Sequence, residues 1–84
     1  MKGDFKKMNK YFLDIVKEDS NLRGIAQVSF QRLTMAKNEN ECKYAEGIAA
    51  SLALLDDSPF SSTSEAINFI WWLHENRENA KELY

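Results

Sequence analysis

The chain has one cysteine (Cys42), one proline (Pro59), one histidine (His74) and three scattered glycines in 84 residues. A lone cysteine forbids an intrachain disulfide, and it cannot build a thiolate zinc site, which draws several ligands from one chain. A reducing, cytoplasmic setting fits that usage. Gly3, Gly24 and Gly47 stand far apart, so no glycine-rich loop is available to cradle a phosphate. The N-terminal segment has no uninterrupted apolar run of the signal-peptide kind, because Asn9, Lys10 and Asp14 punctuate it. The longest apolar-rich stretch, residues 44–55, contains Glu46 and is shorter than the roughly 20 residues a bilayer span requires. Neither export nor membrane insertion is expected. Alternation of apolar and polar residues between turn signals is also missing, so no strand is predicted.

What remains is a chain with 44% hydrophobic and 29% charged residues, the balance of a globular domain. Its length fits a single domain near the lower limit for folding without disulfides or metal. The net charge of −2 hides an asymmetry. Up to Lys37, eight basic residues face four acidic ones, a balance of +4; from Asn38 onward three face nine, a balance of −6. Such a split attracts a polyanion to one half or a basic protein to the other, unless the halves fold together and neutralise their fields.

Four helices are predicted. Asp4 is placed to cap a first helix over 5–18, with Phe5, Met8, Phe12, Ile15 and Val16 at helical spacing. Ser20 is placed to cap a second, with Leu22, Ile25, Ala26, Ser29, Leu33 and Ala36 as its inner stripe and an end near Lys37 and Asn38. Arg23, Gln27, Gln31 and Thr34 form its mostly uncharged polar ridge. Asn38, Glu39, Asn40 and Glu41 read as a turn and a new start, with acids where the helix dipole favours them. The third helix then reaches about Leu55, with Tyr44, Ala45, Ile48, Leu52 and Leu55 on one face. Ala49, Ala50, Ala53 and Leu54 continue around the other side. That pattern predicts a central helix, whose small residues, Gly47 included, let neighbouring backbones approach. Pro59 and its flanking Asp56, Asp57 and Ser58 end it. Ser62 with Glu65 has capping-box spacing and starts a fourth helix near Thr63, stapled by Phe60 on Ala66 or Ile67. The expected fold class is all-α, a small antiparallel bundle of four helices.

Catalytic and ligand-binding signatures are weak. Cys42 and His74 lie on different predicted helices, and a thiolate nucleophile needs a neighbouring base and an orienting group that spacing alone does not supply. A buried, inert cysteine is the simpler reading. His74 and Glu78, four apart on one helix, lack a third ligand at metal spacing. No cofactor, no metal and no enzymatic activity are expected.

Lys6, Lys10 and Lys17 make a basic strip along the first helix and suggest a nucleic-acid-binding alternative. A sequence-reading module would add more than three arginines and a basic overall balance. A helix-turn-helix from the second and third helices would open its recognition helix with Glu39, Glu41 and Glu46, which phosphates repel. Membrane-surface binding by the first helix is opposed by Asp14 and Glu18 in its basic face.

The chain's oddest stretch is Phe69-Ile70-Trp71-Trp72-Leu73. Consecutive helical residues point about 100° apart, so five large apolar side chains in a row cannot all face one core. Phe69, Ile70 and Leu73 are predicted as core and Trp72 as its border. Trp71 falls on the side of Glu75, Glu78 and Glu82, where a large ring suggests an interface anchor, the alternative being a ring folded over Ile67 and the first helix of its own chain. The expected function is that of a non-enzymatic regulatory protein binding another macromolecule. Trp71, Trp72 and Ile67 would be its anchors and Glu75 and Glu78 an acidic rim. A homodimer or docking on a different protein would satisfy both Trp71 and the all-round apolar third helix.

Overall fold

In the computed structural model the described backbone runs over residues 2–78, and side chains are described from Asn9 onward. Predicted features that rest on the side chains of Phe5, Lys6 and Met8, or on Ala80, Glu82 and Leu83, lie outside the described residues. The fold is all-α: α1 (Lys2–Glu18), α2 (Ser20–Met35), α3 (Glu39–Ala50), a 3-10 turn (Ser51–Leu54) and α4 (Thr63–Glu75). No described helix is long and apolar enough to cross a membrane.

Local chemistry explains where the helices begin, with two corrections to the expectation. Asp4 lies inside α1, which already runs from Lys2. The cap of α2 is Asp19, not Ser20: its carboxylate accepts from the backbone N–H groups of Asn21 (2.9 Å) and Leu22 (3.1 Å). Asp19 is the single residue between α1 and α2. Its extended backbone, φ −101° and ψ 113°, breaks the helix, while its side chain satisfies donors that the new helix leaves open. Asp and Ser are comparable caps, so local preference did not choose between them.

α3 and α4 start with the same device. In α3 the Asn38 side chain accepts from Glu41 N–H at 3.0 Å, and the Glu41 carboxylate reaches back to Lys37 N–H at 2.8 Å. In α4, Ser62 Oγ accepts from Glu65 N–H at 3.2 Å, and Glu65 reaches back to the Ser61 N–H at 2.8 Å. Each is a capping box in which the glutamate holds the residue before the cap instead of the cap itself. Glu65 also accepts from Ser61 Oγ at 2.7 Å. The Ser61 hydroxyl first, and the Ser61 N–H second, hold the Glu65 carboxyl below the usual glutamate range.

Helix ends follow a different logic. α2 stops at Met35, short of Lys37, when Ala36 turns extended and its N–H bonds to the Leu33 carbonyl. α3 stops being α-helical at Ala50, five residues before the predicted end. There the Ser51 hydroxyl donates to the Ile48 carbonyl at 2.6 Å, a local bond that competes with the helical ladder. The tighter 3-10 turn rotates the following side chains, so that Leu52 is buried and Leu54 is 75% exposed.

One apolar cluster gathers Phe12, Leu13 and Val16 of α1 with Leu22, Ala26, Phe30 and Leu33 of α2. Ala45 and Ala49 of α3, Leu52, Phe60, and Ala66, Phe69, Ile70 and Leu73 of α4 complete it. α2 and α3 form an antiparallel hairpin over the short connection 36–38, pinned where buried Ser29 Oγ donates to the Ala45 carbonyl at 2.8 Å. Ala26, Ala45 and Ala49, all fully buried, are small enough to let helices approach closely. Gly47 plays no such part: it is exposed, and a Cβ built on it would meet nothing within 4 Å. Nor is α3 the central helix. It packs chiefly on α2 and α4, whereas α2 and α4 each also touch α1. The inner stripe of α2 takes in Phe30 and leaves Ile25 and Ala36 only half-buried. Phe60, expected to staple on Ala66 or Ile67, shares the core cluster with them and stands between α1 and α4, with ring centroids 4.5 Å from Phe12 and 5.4 Å from Phe69. This aromatic trio anchors the 55–62 connection to the core and fixes where α4 starts.

Candidate interaction surface

The surface on α4 is built outward from its buried stripe. Ala66, Phe69, Ile70 and Leu73 face the core, as their spacing predicts. Trp72, at the border, stacks on Phe69 with centroids 6.2 Å apart and planes 21° apart. Its carbonyl accepts from both the backbone and the side-chain amide of Asn76, each at 2.9 Å, which closes the end of α4.

Trp71 takes the opposite flank. Its indole does not stand out alone among Glu75 and Glu78 but crosses to α3, where Nε1–H donates to Glu46 Oε2 at 2.6 Å. The His74 ring stands perpendicular to it, with centroids 5.9 Å apart and planes at 89°, and His74 in turn lies 6.5 Å from Phe30. Trp71 is therefore half-buried and braced on two sides. A charge-assisted bond of that length fixes the ring orientation and holds α4 to α3. The Nδ1 atom of His74 is buried there without a hydrogen-bond partner. Ile67 is also half-buried against the core, while Glu75 and Glu78 are exposed. Glu75, four residues after Trp71, shares its side of α4, whereas Glu78, expected on the same helical face, lies past the helix end, because α4 stops at Glu75 and Asn76 leaves the helical conformation (φ −118°, ψ 50°).

The lysine strip is less continuous than the sequence suggested. Lys10 is exposed, but Lys17 is half-buried with Nζ 4.0 Å from Asp14 Oδ1. Lys10, Asp14 and Lys17 fall on one face, which puts a carboxylate in the middle of the strip. Cys42 is half-buried and packs against the core from α3. Among the described residues no group of three or more His, Cys, Asp or Glu side chains is placed to hold a metal ion.

One feature was missed by sequence reasoning. Tyr44, assigned to the inner face of the third helix, is 60% exposed. The Arg32 guanidinium lies over its ring, 5.6 Å from the centroid. Together with Met35, Lys37 and Glu41 they line an open cleft of about 300 Å³. The available signal was a competition between two stripes, Glu41-Tyr44-Ile48 and Ala45-Ala49-Leu52. The smaller side chains won because they allow α2 and α3 to approach closely enough for the Ser29–Ala45 bond.

No protein-family model, no curated protein and no solved structure matches this chain.

Proposed function

We propose that this chain is a non-enzymatic, cytoplasmic interaction protein that binds another protein through the outer side of α4 and thereby regulates it. The observation that carries the reading is the braced indole of Trp71, held by Glu46 and His74 while part of its surface stays open. A ring fixed before binding loses little rotamer freedom on contact, which is the property of an efficient anchor. Trp72 and Ile67 extend the apolar border, and exposed Glu75 on α4, with exposed Glu78 in the turn past its end, supplies acidic charge that favours a basic partner surface. The nucleic-acid alternative has weaker support, because Asp14 interrupts Lys10 and Lys17.

The test is affinity capture of partners from the native host at low and high salt, with wild type beside Glu75→Lys/Glu78→Lys and Trp71→Ala. Wild type should retain a protein that the charge-reversed variant loses at low salt. Trp71→Ala should weaken its capture at all salt concentrations. Equal capture by all three forms, or capture of nucleic acid alone, would refute the reading.

A further inference from the structure

The cleft where α2 passes into α3 is basic and apolar at once. Arg32 and Met35 come to it from α2, Lys37 from the connection, and Glu41 and Tyr44 from α3. No aspartate or glutamate occurs between Ser20 and Lys37, so α2 supplies no counter-charge for Arg32 or Lys37. On α3 the Glu41 carboxylate is already engaged, since it accepts from the Lys37 N–H at 2.8 Å. Glu39 and Lys43 stand two residues to either side of Glu41 and point about 160° away from it, because each helical residue turns by about 100°. Two cations and one engaged carboxylate leave the cleft at +1, and among the described residues no ion pair holds Arg32 or Lys37. Beside these charges Met35 and Tyr44 are 68% and 60% exposed. The Arg32 guanidinium, 5.6 Å from the centre of the Tyr44 ring, is oriented by that contact and keeps N–H donors for a ligand, in a planar fork that matches a carboxylate.

We propose that this cleft docks a short acidic segment of a partner protein, one in which a carboxylate side chain stands next to a large apolar one. The carboxylate pairs with Arg32 and Lys37, and the apolar side chain lies against Met35 and Tyr44. Charge complementarity selects the acid. A guanidinium ordered before contact loses less rotamer freedom on binding, while the flexible thioether of Met35 adapts to the apolar neighbour. The volume of about 300 Å³ admits only a short segment, and the open side suits a chain that continues beyond the cleft. A small molecule would instead call for a pocket that covers most of its surface. A nucleic acid is disfavoured, because Glu41 stands in the cleft and repels phosphates. The proposal uses neither Trp71 nor α4, so it stands or falls apart from the α4 reading.

Selection from a multivalent display library of random short peptides tests it. Wild type should enrich sequences with an aspartate or glutamate beside a large apolar residue, and Arg32→Gln/Lys37→Gln should not. In solution the enriched peptide should shift the amide resonances of Met35 and Tyr44 and leave the Trp71 indole N–H unmoved. Its affinity should fall about tenfold in Arg32→Gln/Lys37→Gln, the worth of two solvent-exposed ion pairs, and about tenfold again for wild type when its acid is replaced by the amide. Tyr44→Ala keeps both cations and should still weaken binding, which a bare patch of charge would not. The altered side chains are exposed, so circular dichroism should match wild type throughout. No enrichment, enrichment of acid-free sequences, equal affinity in either variant, resonance shifts centred on Trp71, or tighter binding of a short oligonucleotide or of inorganic phosphate than of the peptide would overturn the inference.

Discussion

Removing the Trp71–Glu46 bond should loosen α4 from α3 by a measurable and specific amount. The bond is 2.6 Å long and joins an indole N–H to a carboxylate oxygen across two helices. Hydrogen bonds to charged groups contribute about 1.5–3 kcal/mol net when buried. Both partners here are half-buried, so water competes for each, and the reasonable figure is about 1 kcal/mol after screening. The perturbation is a double-mutant cycle of Trp71→Phe and Glu46→Ala, which cancels the separate losses of ring area and helix propensity and leaves the pairwise coupling. Trp71→Phe keeps an aromatic ring beside His74, so that contact is largely preserved. Urea unfolding followed by circular dichroism supplies the four stabilities, given the two-state behaviour usual for so short a chain. A loss of this size corresponds to about 4–8 °C in melting temperature for a domain under 100 residues. Glu46→Gln keeps a neutral acceptor and should retain about half of the coupling, since neutral bonds are roughly half as strong. Coupling below about 0.3 kcal/mol, the scatter of independent sites, would refute the claim that this bond braces Trp71.

Gly47→Ala should stabilise the chain by about 0.5–1 kcal/mol in the same urea assay, because α3 gains helix propensity and the new methyl meets open space. Ser29→Ala should destabilise it by about 1 kcal/mol through loss of the buried bond to the Ala45 carbonyl, again read by urea unfolding. Glu65 has its carboxyl lowered by Ser61 in the folded state, so its ionised form stabilises the start of α4. That contribution is complete above the ordinary glutamate value and is lost as pH falls through the lowered one. Melting temperatures of wild type should therefore fall more steeply with acid in that window than those of Glu65→Gln, and parallel curves would contradict the Ser61 bonds.

The limits of sequence reading show at particular residues. Ser62 and Asn38 start helices where local chemistry says they should, because a cap and its glutamate three positions on form a closed set of bonds within five residues. The choice of Asp19 over Ser20 lay beyond that reasoning. Both residues cap well, and the direct junction of α1 to α2 decided which of them turned extended. Tyr44 and Ala45 pose the same problem on α3: hydrophobicity favours burying the tyrosine, whereas close helix packing buries the alanine. Leu54 came out exposed because Ser51 bonded back to Ile48 and changed the period of the chain.

On α4 the periodicity correctly separated Phe69, Ile70 and Leu73 as core from the two tryptophans at its edges. It could not say that Trp71 would find Glu46, which lies 25 residues earlier in the chain. The sequence by itself determined the helical class, the starts of α3 and α4 and most of the apolar core, since these follow from spacing and from bonds between near neighbours. Only the tertiary structure decided which tryptophan is braced and which tyrosine is exposed. Those outcomes depend on how closely α2, α3 and α4 approach, and the size of Ser29, Ala45 and Ala49 sets that distance only once the helices have met.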